Sequence, residues 1–240
     1  MGCILADAPG LGKSLTTVAL VRALHGVQGS ALKALLFAPA TMVQAWGGEI
    51  RKWTSAKELP FRLLGGEKQC ATNASLTIDF AQSTKVSLLV ASYESLLSDK
   101  VFDVLKQVSL TLLICDEAHR LKNSSTKTHK RMSSLCCRRR LLLTGTPLQN
   151  SLAELHTLID FCAPGLLGSP SQFRERYAKP IELGRSSEAT SMQSATSKIK
   201  FDSLKKAIAS VVLRRGLEVN AASLPPLTSA VVCCYLTPLQ

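Results

Sequence analysis

The stretch Asp7-Ala8-Pro9-Gly10-Leu11-Gly12-Lys13-Ser14 brings two glycines, a lysine and a hydroxyl residue together in an order suited to gripping phosphate. Gly10 and Gly12 let backbone N–H groups approach the phosphate oxygens, Lys13 reaches the β and γ oxygens, and Ser14 can ligate Mg²⁺. A helix starting at this point would add the positive end of its dipole. Asp7 stands where the general pattern has its first glycine, so the match is to the GxGK[ST] half, with Leu11 between the glycines. Pro9 removes one N–H from a loop that works by donating them. Altered nucleotide affinity, rather than its loss, is the expectation.

A second cluster follows the apolar run Leu112-Leu113-Ile114-Cys115, which leads directly into Asp116-Glu117-Ala118-His119. Two acids at the carboxyl end of a buried strand stand where parallel sheets bind ligands. Asp116 can hold Mg²⁺ through its water shell, and Glu117 can orient and deprotonate an attacking water. The competing reading is a simple preference for negative charge at a helix start. Leu141-Leu142-Leu143-Thr144-Gly145-Thr146-Pro147 again ends an apolar run in small polar residues. Thr144, Gly145 and Thr146 read either as a turn or as the segment that senses the γ-phosphate, with His119 as the link from the Mg²⁺ site.

Such residues need a sheet to position them. Gly2–Ala6, Ala34–Ala38, Leu88–Ala91, Leu110–Cys115 and Leu141–Thr144 are short and uniformly apolar, as buried parallel strands are. Ser14–Leu24 has helical spacing, with Gly26 as its stop signal. Alternation of the two predicts an α/β fold with a parallel sheet flanked by helices. After about residue 150 the pattern becomes mainly helical, through Leu152, Leu155, Leu158, Ile159, Phe173, Tyr177 and Leu204 to Val211 and Val212. Gly184–Ser197, rich in Ser and Thr, reads as a mobile loop.

Composition excludes several classes. With 46% hydrophobic and 19% charged residues in 240, the chain is neither disordered nor of low complexity. No apolar run approaches membrane-spanning length and the start lacks a basic leader, so a soluble, unprocessed chain is expected. Eight cysteines without CxxC spacing point to neither a zinc site nor a disulfide framework, and hence to a reducing compartment. The net charge of +12 is unevenly spread: residues 1–120 carry 12 basic and 10 acidic residues, residues 121–240 carry 17 and 7. A basic second half attracts polyanions, nucleic acid foremost, though a solubilising surface, a membrane or an acidic partner would also be served. Arg138-Arg139-Arg140 is either a phosphate contact or a solvated edge. Trp46 and Trp53 read as packing a helix on the sheet, and His25 and His156 as surface or packing residues.

Taken in order, Gly2–Asp7, Gly10–Ser14, Ala38-Pro39-Ala40 with Trp46, Ser92-Tyr93-Glu94, Asp116–Asn123 and Leu143–Asn150 resemble motifs I, Ia, Ib, II and III of the Swi/Snf family of double-stranded DNA translocases, within helicase superfamily 2. The likeness continues in Gly165–Gly168, Leu213-Arg214-Arg215, Leu224-Pro225 and Val231–Gln240, and is strongest to the Rad fifty-four-like recombination subgroup. It implies a first RecA-like ATP-binding lobe over 1–150, truncated at its start, then a helical protrusion over 151–240 that leads towards a second lobe. It further implies ATP and Mg²⁺ as cofactors, double-stranded DNA as partner, a recombinase filament or nucleosomes as objects of remodelling, and a nuclear location. By the same resemblance Pro39, Ala40, Ser92, Tyr93 and Asn123 face DNA. Family members commonly have Asp-Glu-Met where Asp7-Ala8-Pro9 stands here. Three readings follow: part of a DNA-dependent ATPase that needs its second lobe for turnover, a non-catalytic DNA- or protein-binding module, or a different phosphate-loop enzyme such as a nucleotide kinase.

Overall fold

Successive side chains on a strand point to opposite faces of its sheet, and the apolar runs divide accordingly into two cores. Leu35, Phe37, Leu113, Cys115 and Leu142 belong to one. Their chain neighbours Leu36, Ala38, Leu112, Ile114 and Leu143 belong to the other. The computed structural model describes residues 2–65, 70–145, 151–220 and 230. Within them, β1 (Cys3–Leu5), β2 (Ala34–Ala38), β3 (Phe61–Leu63), β4 (Leu88–Ser92), β5 (Leu112–Cys115), β6 (Arg140–Leu143) and β7 (Val212–Leu213) form one sheet in the order β3-β4-β2-β5-β6-β1-β7. Every pairing is parallel.

Helices α1 (Lys13–Gln28) and α2 (Val43–Trp53) cover one face through Val18, Val21, Trp46 and Ile50. The other face is covered by α3 (Cys70–Gln82), α4 (Asp99–Gln107), α5 (Lys127–Ser133) and α6 (Leu152–Cys162), to which Phe80, Leu105, Met132 and Ile159 contribute. The run α7 (Pro170–Phe173), a π-turn over Arg174–Ala178, α8 (Lys179–Leu183) and α9 (Ser191–Ile208) joins that same core through Phe173, Tyr177, Ile181 and Leu204. Among the described residues no helix is long and apolar enough to cross a membrane.

Four expectations are corrected. Helix α1 passes through Gly26 and ends at Gly29, whose φ of 56° and N–H bond to the His25 carbonyl close it; an internal glycine costs a helix only about 1 kcal/mol. The Ser/Thr-rich stretch is not wholly loop, because Thr190 and Gln193 form a capping box that starts α9 within it. Strand β5 starts at Leu112, with Leu110 held by a separate bridge to Cys137. Val212 is not helical: β7 pairs with β1, so the chain returns to the sheet after its helical excursion.

Candidate nucleotide site

Strands β1, β6 and β5 are consecutive neighbours. Their registers, Leu5 opposite Leu143 and Cys115 opposite Leu142, bring their carboxyl ends nearly level. One sheet edge therefore delivers Asp7–Ser14, Thr144-Gly145 and Asp116-Glu117 side by side. Gly10 and Gly12 hold φ values of 85° and 78°, a region that residues with a Cβ rarely enter. With no Cβ on them, the loop's N–H groups stay open to a ligand. Helix α1 begins at Lys13 with no acidic residue in its first turn, so its positive end is not answered by its own side chains. Ser14 lies in that first turn, and Leu11 is half-buried beside it. Lys13 Nζ lies back over the loop, donating to the carbonyls of Asp7 at 2.9 Å and Ala8 at 3.4 Å.

Asp116 is fixed from two sides. Its Oδ1 accepts from the Glu117 N–H at 2.9 Å and its Oδ2 from Trp46 Nε1 at 2.7 Å. Burial pushes its carboxyl up from the usual aspartate value, the Trp46 and Glu117 donors pull it down, the Glu117 charge pushes it up, and the Lys13 ammonium pulls it down. Among the described residues no cationic side chain bonds the Asp116 carboxylate, whose two bonds come from neutral donors. That donor set fits a water-bridged divalent cation.

Glu117 is the single described non-glycine residue with positive φ, 47°. Such strain persists where the surrounding structure over-determines it and clusters at functional sites. Its Oε2 lies 3.2 Å from His119 Nδ1. Thr144 is buried and its N–H bonds the Leu5 carbonyl, while Gly145 lies against the Pro9 ring of the phosphate loop. Thr146 and the rest of that motif lie outside the described residues, as do Leu224-Pro225 and Val231–Gln240.

Several expectations change at this point. Asp7 does not turn its carboxylate to the nucleotide loop: the group is fully buried and bound by Arg215. The DNA-facing expectation for Ser92 and Tyr93 is corrected, since both are 2% exposed. Ser92 Oγ accepts from the Ser95 N–H, and the Tyr93 hydroxyl donates to the Asp116 carbonyl at 2.6 Å. Pro39 is half-buried and Ala40 exposed. Asn123 is exposed, with its Oδ1 accepting from Ser125 N and Oγ. Of the two tryptophans only Trp46 packs; Trp53 is largely exposed. Arg140 stacks on Phe161 and donates to its carbonyl. Arg138 and Arg139 precede β6 and so lie at the sheet edge opposite the phosphate loop.

Arg215 holds the Asp7 carboxyl below the ordinary aspartate range. A depressed folded-state pKa contributes stability that is present above the unfolded value and lost as pH falls through the folded one. Asp7→Asn is therefore expected to be less stable than wild type at neutral pH, with the gap closing as pH falls below about 3.9, the unfolded aspartate value. Urea midpoints compared across that range check it; a gap independent of pH contradicts the pairing.

A family model for the SNF2-related domain matches residues 1–240. The chain belongs to the SNF2-related family. Along its whole length it is 36% identical to the DNA repair and recombination protein RAD54B of Gallus gallus, covering 26% of that protein. It is 34% identical to the DNA repair and recombination protein RAD54 of Saccharomyces cerevisiae, covering 28%. The Sulfolobus solfataricus SWI2/SNF2 ATPase core in complex with dsDNA superposes with a TM-score of 0.70 at 28% identity, over 90% of this chain and 40% of that one. The SNF2-related chain thus has the RecA-like fold of that core, and spans about a quarter of the curated relatives it matches.

Proposed function

We propose that this chain is the first ATP-binding lobe of a DNA-dependent ATPase that translocates on double-stranded DNA, in the recombinational-repair branch of the SNF2-related family. The observation that carries the reading is the arrival of the Lys13 loop and of Asp116 and Glu117 side by side at one sheet edge. Residues 1–150 form the lobe, with β7 completing its sheet, and the helices after 151 form a protrusion on it. In this role Gly10, Leu11, Gly12, Lys13 and Ser14 cradle the phosphates, and Asp7 shapes the loop from behind. Ser14 and Asp116 would hold Mg²⁺, which draws charge from the β and γ oxygens when bound. Glu117 orients and deprotonates the attacking water, while His119, Thr144, Gly145 and Thr146 couple the phosphate to the rest of the lobe.

Double-stranded DNA is the proposed track, supported by the relative solved on dsDNA and by the basic second half. Pro39, Ala40 and Asn123 are the surface residues assigned to it. A recombinase filament or nucleosomes are the proposed objects of its motion, a second RecA-like lobe its required partner, and the nucleus its location, in line with the repair and recombination roles in the relatives' names.

Trp46 supplies the readout, because its indole N–H rests on Asp116. With Trp53→Phe removing the exposed indole, ATP with Mg²⁺ is expected to shift the Trp46 fluorescence. The same addition to the Lys13→Ala form of that variant is expected to leave it unchanged. Equal responses from the two would withdraw the assignment.

A further inference from the structure

The buried Asp7 carboxylate is bound three times by one residue 208 positions away. Arg215 donates its backbone N–H to Oδ1 at 2.9 Å, and its Nε and Nη2 to Oδ2 at 3.0 and 2.5 Å. The surrounding backbone is stitched in the same register: Ile4, Ala6 and Ala8 donate their N–H groups to the carbonyls of Val211, Leu213 and Arg215. Strand β7 thus runs beside the entry to the phosphate loop. On the loop side the Asp7 carbonyl accepts Lys13 Nζ at 2.9 Å. A continuous path of bonds leads from Arg215 through Asp7 to the phosphate lysine, while the Arg215 side chain as a whole remains 42% exposed.

We propose that Arg215 is a positioning residue for the nucleotide phosphates, acting through Asp7: it fixes the peptide whose carbonyl aims Lys13, and so ties the geometry of the phosphate loop to the seating of β7. The inference rests on the nucleotide-site reading above. A planar guanidinium suits this task because its fork holds one carboxylate in a single orientation, which an ammonium does not. Both ends of the Asp7–Ala8 peptide are engaged: its carbonyl, on Asp7, accepts from Lys13, and its N–H, on Ala8, donates to the Arg215 carbonyl. Binding couplings are reciprocal. Nucleotide on the loop therefore stabilises β7 in place, and displacement of β7 loosens the nucleotide.

The test measures the affinity of the 240-residue chain for a fluorescent ATP analogue, with melting temperatures alongside, for wild type, Lys13→Ala, Arg215→Lys, Arg215→Met, Asp7→Asn and the Asp7→Asn/Arg215→Met pair. Arg215→Met is expected to weaken binding about tenfold or more at a temperature where it remains folded. Arg215→Lys restores part of the loss. The double variant is expected to bind no worse than the poorer single variant, because neighbours in one network are not additive. If Arg215→Met fails to fold, Arg215→Lys compared with wild type decides, with an expected loss of several-fold. Wild-type affinity in a folded Arg215→Met or, failing that, Arg215→Lys overturns the proposal, as do additive losses in the pair. Tight wild-type binding that Lys13→Ala abolishes keeps the nucleotide-site reading whatever Arg215 does. Absence of that pattern removes the reading and the proposal together.

Discussion

Replacing Lys13 with alanine is expected to weaken ATP binding by about 100-fold or more, the equivalent of losing two charge-assisted hydrogen bonds at roughly 1.5–3 kcal/mol each. The ammonium is the single side-chain cation that the loop Asp7–Ser14 carries. The bonds it makes are to the carbonyls of Asp7 and Ala8, at the edge of the sheet and outside its two apolar cores. The fold of Lys13→Ala should therefore survive, and its melting temperature without nucleotide should stay close to that of wild type. Isothermal titration with ATP and Mg²⁺ checks the effect. An affinity within about threefold of wild type, well under the 1.4 kcal/mol of one decade, would mean that the loop does not grip phosphate through this side chain.

Glu117→Gln should separate turnover from binding. An arginine supplied from another protein element adds about 10³ to 10⁵ to phosphoryl-transfer rates, and the proposed motor takes its arginines from a second lobe. This chain alone is accordingly expected to hydrolyse ATP at background level, and to do so measurably, with stimulation by duplex DNA, once a second-lobe fragment is added. In that assembly Glu117→Gln is expected to cut hydrolysis by about 10² to 10⁴, the range for a general base, while ATP affinity stays within a few-fold. The side chain suits that split. It is nearly half exposed, adjoins His119 and sits on a backbone of positive φ whose N–H is bonded to Asp116. Rapid turnover by the isolated chain, lost in Lys13→Ala, would show that no second lobe is needed. Unchanged turnover in Glu117→Gln would move the base to another residue.

The capping box of α9 shows how a legible signal can be outweighed. Thr190 and Gln193 have the spacing that starts a helix, yet the surrounding serines and the glycine at 184 read as loop. The return of β7 had no comparable signal, because two residues beside β1 are too few to show a period. Tyr93 and Ser92 reverse the lesson: the motif around them was recognisable, but the motif did not reveal that both side chains point inward.

What the sequence determined by itself is what neighbouring residues can decide. A phosphate loop is local physics, glycines for the turn and a helix start for the dipole, and an apolar run buried on both faces can be recognised as a parallel strand without knowing its neighbours. The phosphate loop, the acids ending β5 and five of the seven strands among the described residues were legible for that reason. The tertiary structure alone decided which strands stand side by side, and through them every contact that spans the chain: Trp46 on Asp116 across 70 residues, Tyr93 on the Asp116 carbonyl, and Arg215 on Asp7 across 208. Strand order depends on how whole helices and faces pack, and a pairing between distant residues leaves no period in either stretch of chain. That is why the chemistry of this site could be read in advance, and the contacts that hold it in place could not, although Trp46, Tyr93 and Arg215 already stood in recognisable motifs.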